Sequence, residues 1–175
     1  CKIDRQGIHV RFEIGFPANG RTINAPELEK IFFSILPDCV FHALYYKNQN
    51  PDTVLQVFEL AEDQYFIRQE LSRLGLTAFV ADGAILPRQS GVSDLPMKNC
   101  IPFSSPESLR IQLQLPHKGA LTGMGLPRGI TLIVGGGYHG KSTLLQALEM
   151  GVYNHRKGDG REYVITDSTA LKIRA

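Results

Sequence analysis

One short stretch of the sequence combines residue types that bind phosphate. Gly135 is followed after four residues by Gly140, Lys141 and Ser142, which fits the pattern G-x-x-x-x-G-K-[ST]. Glycines allow consecutive backbone N–H groups to turn inward around phosphate oxygens. A helix beginning near Lys141 would add free N–H donors and the positive end of its dipole. The spacing therefore predicts a phosphate-binding loop.

The residues of this loop also predict the parts of a nucleotide site. We expect Lys141 to reach the β- and γ-phosphates, the Ser142 hydroxyl to ligate Mg²⁺ and Thr143 to touch the α-phosphate. Lys141 is the candidate catalytic residue, and Ser142 is the candidate metal ligand. The predicted nucleotide-binding residues are Gly135, Gly136, Gly137, Tyr138, His139, Gly140, Lys141, Ser142 and Thr143.

Two aromatic rings inside the loop leave two interpretations open. Loops of this kind usually hold small residues where this chain has Tyr138 and His139. Either ring could touch the nucleotide or a facing subunit. Alternatively, both rings are exposed or pack on a neighbouring loop.

The other titratable residues are predicted to have structural roles. We expect His117 and His155 at the surface, Glu62-Asp63 on the surface of a helix and Asp82 in a turn. The sequence therefore predicts no catalytic pair of carboxylates outside the loop.

The elements that must position the loop are predicted from hydrophobic periodicity. The apolar run 130–134 is expected to be a buried parallel strand, and Ser142 to Met150 is predicted to be helical. Alternation of apolar residues over 109–115 predicts a strand. The glycine-rich segment 116–129 is predicted to be rich in turns. The sequence YVIT at 163–166 predicts a further strand.

The first half of the chain alternates between strand and helix patterns. Residues 8–16 alternate with period two, which predicts a strand. A helix is expected from Pro26 to Pro37, and helical structure from Asn50 to Leu74, with Gly75 as its C-cap. The sequence LTAFVADGAIL at 76–86 predicts two short strands around an Asp-Gly turn.

A proline-rich stretch is the best candidate for a domain boundary. Residues 87–108 hold four prolines and little periodicity. We therefore predict an N-terminal α+β domain at 1–100, followed at 101–175 by the N-terminal part of a P-loop domain.

The composition describes a folded chain and excludes some classes of protein. Hydrophobic residues make up 43% and charged residues 21% of the 175 residues, which is typical of a globular protein. The net charge of +2 is too small to indicate a polyanionic partner by itself. Three widely spaced cysteines indicate neither a zinc site nor a disulfide framework and favour a reducing compartment. No run reaches the roughly 20 apolar residues of a membrane span, and nothing resembles a signal peptide.

The loop and its neighbours resemble a known family. The sequence GGGYHGKSTLLQALEMGVYNH, followed by GDGREYVITD and ALKIRA, is similar to the predicted soluble ATPases of the ABC class. Upstream, LTAFVADGAILPRQSGV and PFSSPESLRIQLQLPHKGALTGMGLPRG resemble the N-terminal and domain-entry segments of that family. The resemblance covers most of the chain and is densest over 76–175. It implies the start of an α/β P-loop NTPase domain of ABC type, preceded by a smaller α+β domain and without membrane spans.

The resemblance also implies an activity and partners. It implies Mg²⁺-dependent ATP hydrolysis, ATP or ADP as ligand, and ATP-driven closure of a homodimer through the nucleotide domains. Some members of the family are linked to RNA processing in protist mitochondria. RNA is therefore an expected partner, and the mitochondrial matrix or the cytoplasm is the expected location.

Several elements of an ABC ATPase are not found in this sequence. Only 34 residues (175 − 141) follow Lys141, and they contain no strand ending in Asp-Glu, no L-S-G-G-Q-like signature and no switch histidine. The chain also begins at Cys1 without a methionine, so we expect a piece of a longer protein. This piece is expected to bind phosphates but hardly to hydrolyse them.

Two other functions compete with the ATPase hypothesis. One is a nucleotide-gated RNA- or DNA-binding module with little or no hydrolysis. The other is a GTPase or a small-molecule kinase. The motifs Asp-x-x-Gly and Asn-Lys-x-Asp expected of a GTPase do not appear.

Overall fold

A computed structural model describes residues 2–4 and 7–173 of the chain. The chain divides into two compact units, Cys1–Val54 and Leu55–Ala175. Cys1 lies outside the described residues, as do the last two residues of the ALKIRA segment. Each helix among residues 2–4 and 7–173 is too short or too polar to span a membrane.

The first unit contains two short hairpins. Strand β1 (Lys2–Asp4) pairs antiparallel with β2 (Gly7–His9), and β3 (Ala18–Asn19) pairs with β4 (Thr22–Ile23). The strand predicted over 8–16 is therefore wrong beyond His9. Since the register places His9 opposite Lys2, residues 10–17 have no partner strand among the described residues.

The helix of the first unit passes through Pro37 instead of ending there, so the predicted end is wrong. Helix α1 (Ala25–Lys30) continues into a π-helical segment (Ile31–Ile35) and then into α2 (Leu36–Leu44). The N–H of Leu36 donates to the carbonyl of Ile31, five residues back. Proline has no N–H, and its ring crowds the carbonyl four residues back, so a wider turn before Pro37 lets the helix continue.

The predicted helical unit after Asn50 is confirmed as one long helix. Helix α3 (Pro51–Arg73) begins where Oδ1 of Asn50 accepts hydrogen bonds from the N–H groups of Asp52 and Thr53, at 2.9 and 3.2 Å. Gly75 follows the helix with φ +65°, a conformation that glycine adopts without strain.

The second unit is built on an antiparallel sheet of four strands. Its strands are β5 (Leu76–Ala81), β6 (Arg110–Leu115), β7 (Gly119–Pro127) and β8 (Val164–Thr166), in the order β6-β7-β5-β8. Helix α4 (Lys141–Met150) follows the predicted phosphate loop. The strands predicted over 109–115 and 163–166 and the helix predicted over 142–150 are confirmed, as is the first of the two short strands predicted over 76–86. The second of these two strands is wrong, because residues 84–86 have no regular structure.

The two faces of this sheet are covered by different helices. Ile67 and Leu71 of α3 belong to one buried cluster with Phe79. Ala147 of α4 belongs to a second buried cluster with Val80. Because consecutive strand residues point to opposite faces, α3 and α4 lie on opposite sides of the sheet.

The domain boundary predicted near residue 100 does not coincide with the division at Val54 and Leu55. Strand β5, before the proline-rich stretch, pairs with β7 and β8, which come after it. The stretch is therefore a loop within one sheet-containing unit. Prolines interrupt secondary structure equally well at an internal loop and at a domain boundary.

The segment predicted to be rich in turns contains the longest strand. Its glycines serve close packing, since a Cβ on Gly123 would lie 2.5 Å from Cζ of Phe79 and 2.6 Å from the carbonyl oxygen of Val80. Glycine in a strand can mark a close approach of neighbouring groups as well as a turn. The prediction of turns over 119–127 is therefore wrong.

The apolar run before the loop is not a buried strand, so this prediction is also wrong for the described residues. Residues 130–134 have no regular structure, and no strand pairs with them in the part of the chain described. Ile130 is 104% exposed and Leu132 is 81% exposed. A run of this kind forms a buried strand only where neighbouring strands supply backbone partners.

Candidate functional site

The predicted phosphate loop lies directly before α4. Gly140 has φ +77° and immediately precedes the first residue of the helix. Tyr138 also lies in the left-handed region, with φ +61°. For a residue with a side chain this conformation costs roughly 1–2 kcal/mol, so the surroundings must hold Tyr138 there.

The N-terminus of α4 differs from the other helix starts in how it is capped. No side chain in the described part of the chain accepts a hydrogen bond from its first turn, whereas Asn24 caps α1 and Asn50 caps α3. Among the described residues, the backbone N–H groups of Lys141, Ser142 and Thr143 have no acceptor. The positive end of the helix dipole therefore meets solvent with free donors, which suits an anion.

The side chain of Lys141 folds back over the glycines. Its Nζ donates to the carbonyl of Gly135 at 2.6 Å and also to the carbonyl of Gly136. No carboxylate lies within 4 Å of this ammonium in the described part of the chain. The charge is thus held at the mouth of the loop by neutral groups.

His139 lies against the loop's own backbone. Its Nδ1 accepts a hydrogen bond from the N–H of Gly136 at 3.1 Å, which leaves the imidazole proton on Nε2. Tyr138 is fully exposed, at 110%. Of the two interpretations left open by the sequence, the structure brings His139 onto a neighbouring glycine and leaves Tyr138 in solvent.

Ser142 and Thr143 occupy the first turn of α4. Ser142 is exposed and Thr143 is half-buried. The structure thus brings the predicted residues 135–143 together at one end of one helix.

Sequence reasoning missed a buried polar cluster in the loop after α4, where His155 was predicted to be at the surface. The His155 side chain is only 11% exposed, and its Nδ1 lies 2.6 Å from Oδ2 of Asp159. Arg88 reaches the same carboxylate, with Nη1 at 3.3 Å from Oδ1. Burial and the nearby charge of Arg88 lower the pKa of Arg161 to about 10. The prediction for His155 is wrong because residues far away in sequence pack on this loop, as Gln64 does when its Nε2 donates to the carbonyl of His155 at 2.7 Å.

Burial also lowers the pKa of His155 below its ordinary value of 6.5, although the Asp159 carboxylate opposes this shift. Nε2 of His155 is buried without a hydrogen-bond partner among the described residues, so a second proton would gain no partner there. Acid therefore protonates the unfolded chain before the folded one. The stability that His155 contributes is present above pH 6.5 and is lost as the pH falls.

We expect the replacement of His155 by glutamine to flatten the pH dependence of stability. Between pH 7.5 and 5.5, the slope of the unfolding free energy against pH should fall by up to about 1.4 kcal/mol per pH unit, the limit for one proton. Urea unfolding at several pH values measures this slope. An unchanged slope in His155→Gln would contradict the assignment.

The acidic pair on α3 is only half at the surface. Glu62 and His117 are exposed, as predicted, and lie 2.6 Å apart between Oε2 and Nε2, which raises the pKa of His117. Asp63 is 1% exposed, and its carboxylate accepts hydrogen bonds from the N–H groups of His117 and Lys118 at 2.9 and 3.0 Å. The surface prediction for Asp63 is therefore wrong, because the β6–β7 turn covers it.

The carboxylate of Asp82 accepts a hydrogen bond from the N–H of Ser105 at 2.5 Å. This bond holds the loop at Ser105 in place.

A cavity of about 460 Å³ lies on the α3 side of the sheet. It is therefore on the face opposite α4 and is separate from the phosphate loop. Residues that line it include Gln56, Asp63, His117, Lys118, Lys157 and Tyr163.

Comparisons with known proteins agree with the geometry of the loop. The family model for the P-loop domain of the ABC ATPases matches residues 50–175, and the model for the N-terminal domain of ATPases of the ABC class matches residues 1–47. The chain belongs to the ABC-class P-loop ATPases. The predicted resemblance and fold class, an ABC-type P-loop domain preceded by an N-terminal domain, are thereby confirmed. Membership of this family implies nucleotide binding and suggests ATPase activity.

A relative of this ABC-class chain occurs in an archaeon. An uncharacterized protein of Methanocaldococcus jannaschii is 34% identical over 122 residues, which covers 63% of this chain. The same alignment covers 26% of the relative's length. The chain thus spans about a quarter of the relative it matches.

Proposed function

We propose that the whole protein binds ATP and Mg²⁺ at residues 135–143 and hydrolyses the ATP. The observation that carries this proposal is the N-terminus of α4, which no described side chain caps, beside the ammonium of Lys141, which has no carboxylate partner among the described residues. The proposed nucleotide site is made up of Gly135, Gly136, Gly137, Tyr138, His139, Gly140, Lys141, Ser142 and Thr143.

The groups present fit a polyphosphate. The free N–H groups of Lys141, Ser142 and Thr143 point along the helix axis toward the loop, and the dipole adds positive potential there. Among the described residues, the Lys141 ammonium has only neutral partners, so its charge is available to phosphate oxygens. Both donors and charge are already in place, which suits catalysis by electrostatic stabilisation.

Ser142 is the proposed protein ligand of Mg²⁺. Its hydroxyl is exposed one residue after Lys141, and hydroxyl oxygen is a suitable ligand for this hard cation. Mg²⁺ with ATP would neutralise phosphate charge, while the chain's own residues hold and orient the phosphates.

Ser142→Ala tests this role. We expect the magnesium concentration for half-maximal ATP turnover to rise about 10-fold, because one inner ligand is lost. Turnover of the full-length protein is measured against Mg²⁺ at fixed ATP, with Ser168→Ala, in an exposed segment, as the control. An unchanged magnesium requirement would remove Ser142 from the site.

The proposal extends to pairing and to RNA. ATP would close two copies of the nucleotide domain on each other, and hydrolysis would reopen them. Exposed basic residues such as Arg156 support contact with a polyanion, which salt would weaken.

Turnover by the full-length protein tests the function and its alternative together. ATPase rate is measured with and without RNA at two salt concentrations, and oligomeric state is measured with and without ATP. A rate that rises with RNA supports a motor acting on nucleic acid, and a rate indifferent to RNA removes that part. If ATP binds without turnover, the protein is a nucleotide-gated module and the ATPase proposal fails.

A further inference from the structure

We propose that His139 is a positioning residue that staples the phosphate loop, rather than a ligand of the nucleotide. The proposal rests on the proposed function of residues 135–143. It is carried by the hydrogen bond from the N–H of Gly136 to Nδ1 of His139, which closes the loop across Gly137 and Tyr138.

The backbone conformation of Tyr138 explains why the hydrogen bond of His139 is needed. The residue lies at φ +61°, a conformation that is unfavourable for a residue with a Cβ, and its fully exposed ring packs against no described residue that could hold it there. The side chain of the next residue is bonded to the backbone two residues before Tyr138. The His139 ring therefore holds the turn in which Tyr138 sits.

Gly136 leaves room for the imidazole ring of His139 because it has no side chain. A Cβ on Gly136 would lie 3.0 Å from Cε1 and 3.3 Å from Nδ1 of His139. The φ of Gly136 is not in the left-handed region. Glycine is therefore needed at this position because a side chain would crowd the ring, and not because of its backbone freedom. Alanine at 136 would push the ring away without straining the backbone.

Lys141 holds the same segment from its other side. Its Nζ bonds the carbonyls of Gly135 and Gly136, while His139 bonds the N–H of Gly136. Loss of the staple would free the carbonyls that now place the ammonium. The effect would therefore reach the nucleotide through Lys141 and the N-terminus of α4.

Substitutions of His139 separate a staple from a phosphate ligand. Asparagine can keep an acceptor near the position of Nδ1 but has nothing at the position of Nε2, whereas alanine removes both. If His139 positions the loop, His139→Asn should restore most of what His139→Ala loses. If the Nε2 proton bound phosphate, both variants should be equally weak.

A double-mutant cycle with Tyr138→Gly tests the link to backbone strain. Glycine removes the penalty for the left-handed conformation, so the staple has less to hold. We expect His139→Ala to weaken MgATP binding about 10-fold in the wild-type background and at most about 3-fold beside Tyr138→Gly. Gly136→Ala should behave like His139→Ala.

The experiment is titration calorimetry of MgATP with the full-length protein and these variants, together with hydrogen exchange of the Gly136 amide in the absence of nucleotide. Slow exchange of this amide in wild type and His139→Asn, and fast exchange in His139→Ala, support the staple. Equal exchange in all three, or equal weakness of the asparagine and alanine variants, would overturn it. If wild type binds no MgATP, both the proposed function and this inference fail. If wild type binds and His139→Ala binds equally well, only this inference fails.

Discussion

Replacement of Lys141 by alanine is expected to weaken MgATP binding at least about 100-fold. Lys141 would make two charge-assisted hydrogen bonds to phosphate, each worth roughly 1.5–3 kcal/mol. Its ammonium is already held at the loop by the carbonyl of Gly135, so little ordering opposes binding. A loss of about 2.7 kcal/mol corresponds to a factor of 100 in affinity.

Calorimetric titration of MgATP into the full-length protein measures this loss. Lys157→Ala is the matched control, because it removes the same charge from an exposed loop where Nζ bonds the side chain of Gln56. The control should bind as wild type does. Undiminished binding in Lys141→Ala, with the fold intact by circular dichroism, would show that the phosphates bind elsewhere.

Replacement of Gly123 by alanine is expected to have the largest effect on stability. The new Cβ would meet Cζ of Phe79 at 2.5 Å and the carbonyl oxygen of Val80 at 2.6 Å. Phe79 is fully buried and Val80 lies in the paired strand, so neither atom can move away freely. Overpacking of this kind costs about 3 kcal/mol or more of unfolding free energy.

Urea unfolding of wild type and variant measures this cost. Gly91→Ala is the control, because no atom lies within 4 Å of the Cβ it adds and its φ is not in the left-handed region. We expect that control to stay within about 0.5 kcal/mol of wild type. If Gly123→Ala unfolds at the same urea concentration as Gly91→Ala, β7 does not pack against β5 as described.

Local patterns in the sequence predicted most of the candidate site. Gly140, Lys141 and Ser142 lie where a loop meets a helix, and residues close in sequence are necessarily close in space. Helix α3 could also be predicted from the sequence, because Asn50 caps its start and Gly75 follows its end.

Features that depend on distant residues were not predicted. Asp63 is buried by a turn 54 residues away, and Gly123 is required by the ring of Phe79 on another strand. His155 lies in a loop that Gln64 and Arg88 contact from far away in sequence. Sequence spacing along one element carries no signal for such contacts.

At two places in the chain, composition alone did not distinguish between two possible structures. Prolines near residue 100 occur in a loop that links paired strands, and an apolar run at 130–134 stays exposed. Both patterns have two structural outcomes, and the surrounding strands decide between them.

Hydrogen exchange of the full-length protein, with and without MgATP, tests the central claim most directly. We expect ATP to slow exchange in the peptide covering Gly135–Thr143, because the free N–H groups at the start of α4 gain phosphate acceptors. Protection should disappear in Lys141→Ala. Unchanged exchange over this peptide, with protection instead around the cavity on the α3 side, would contradict the account.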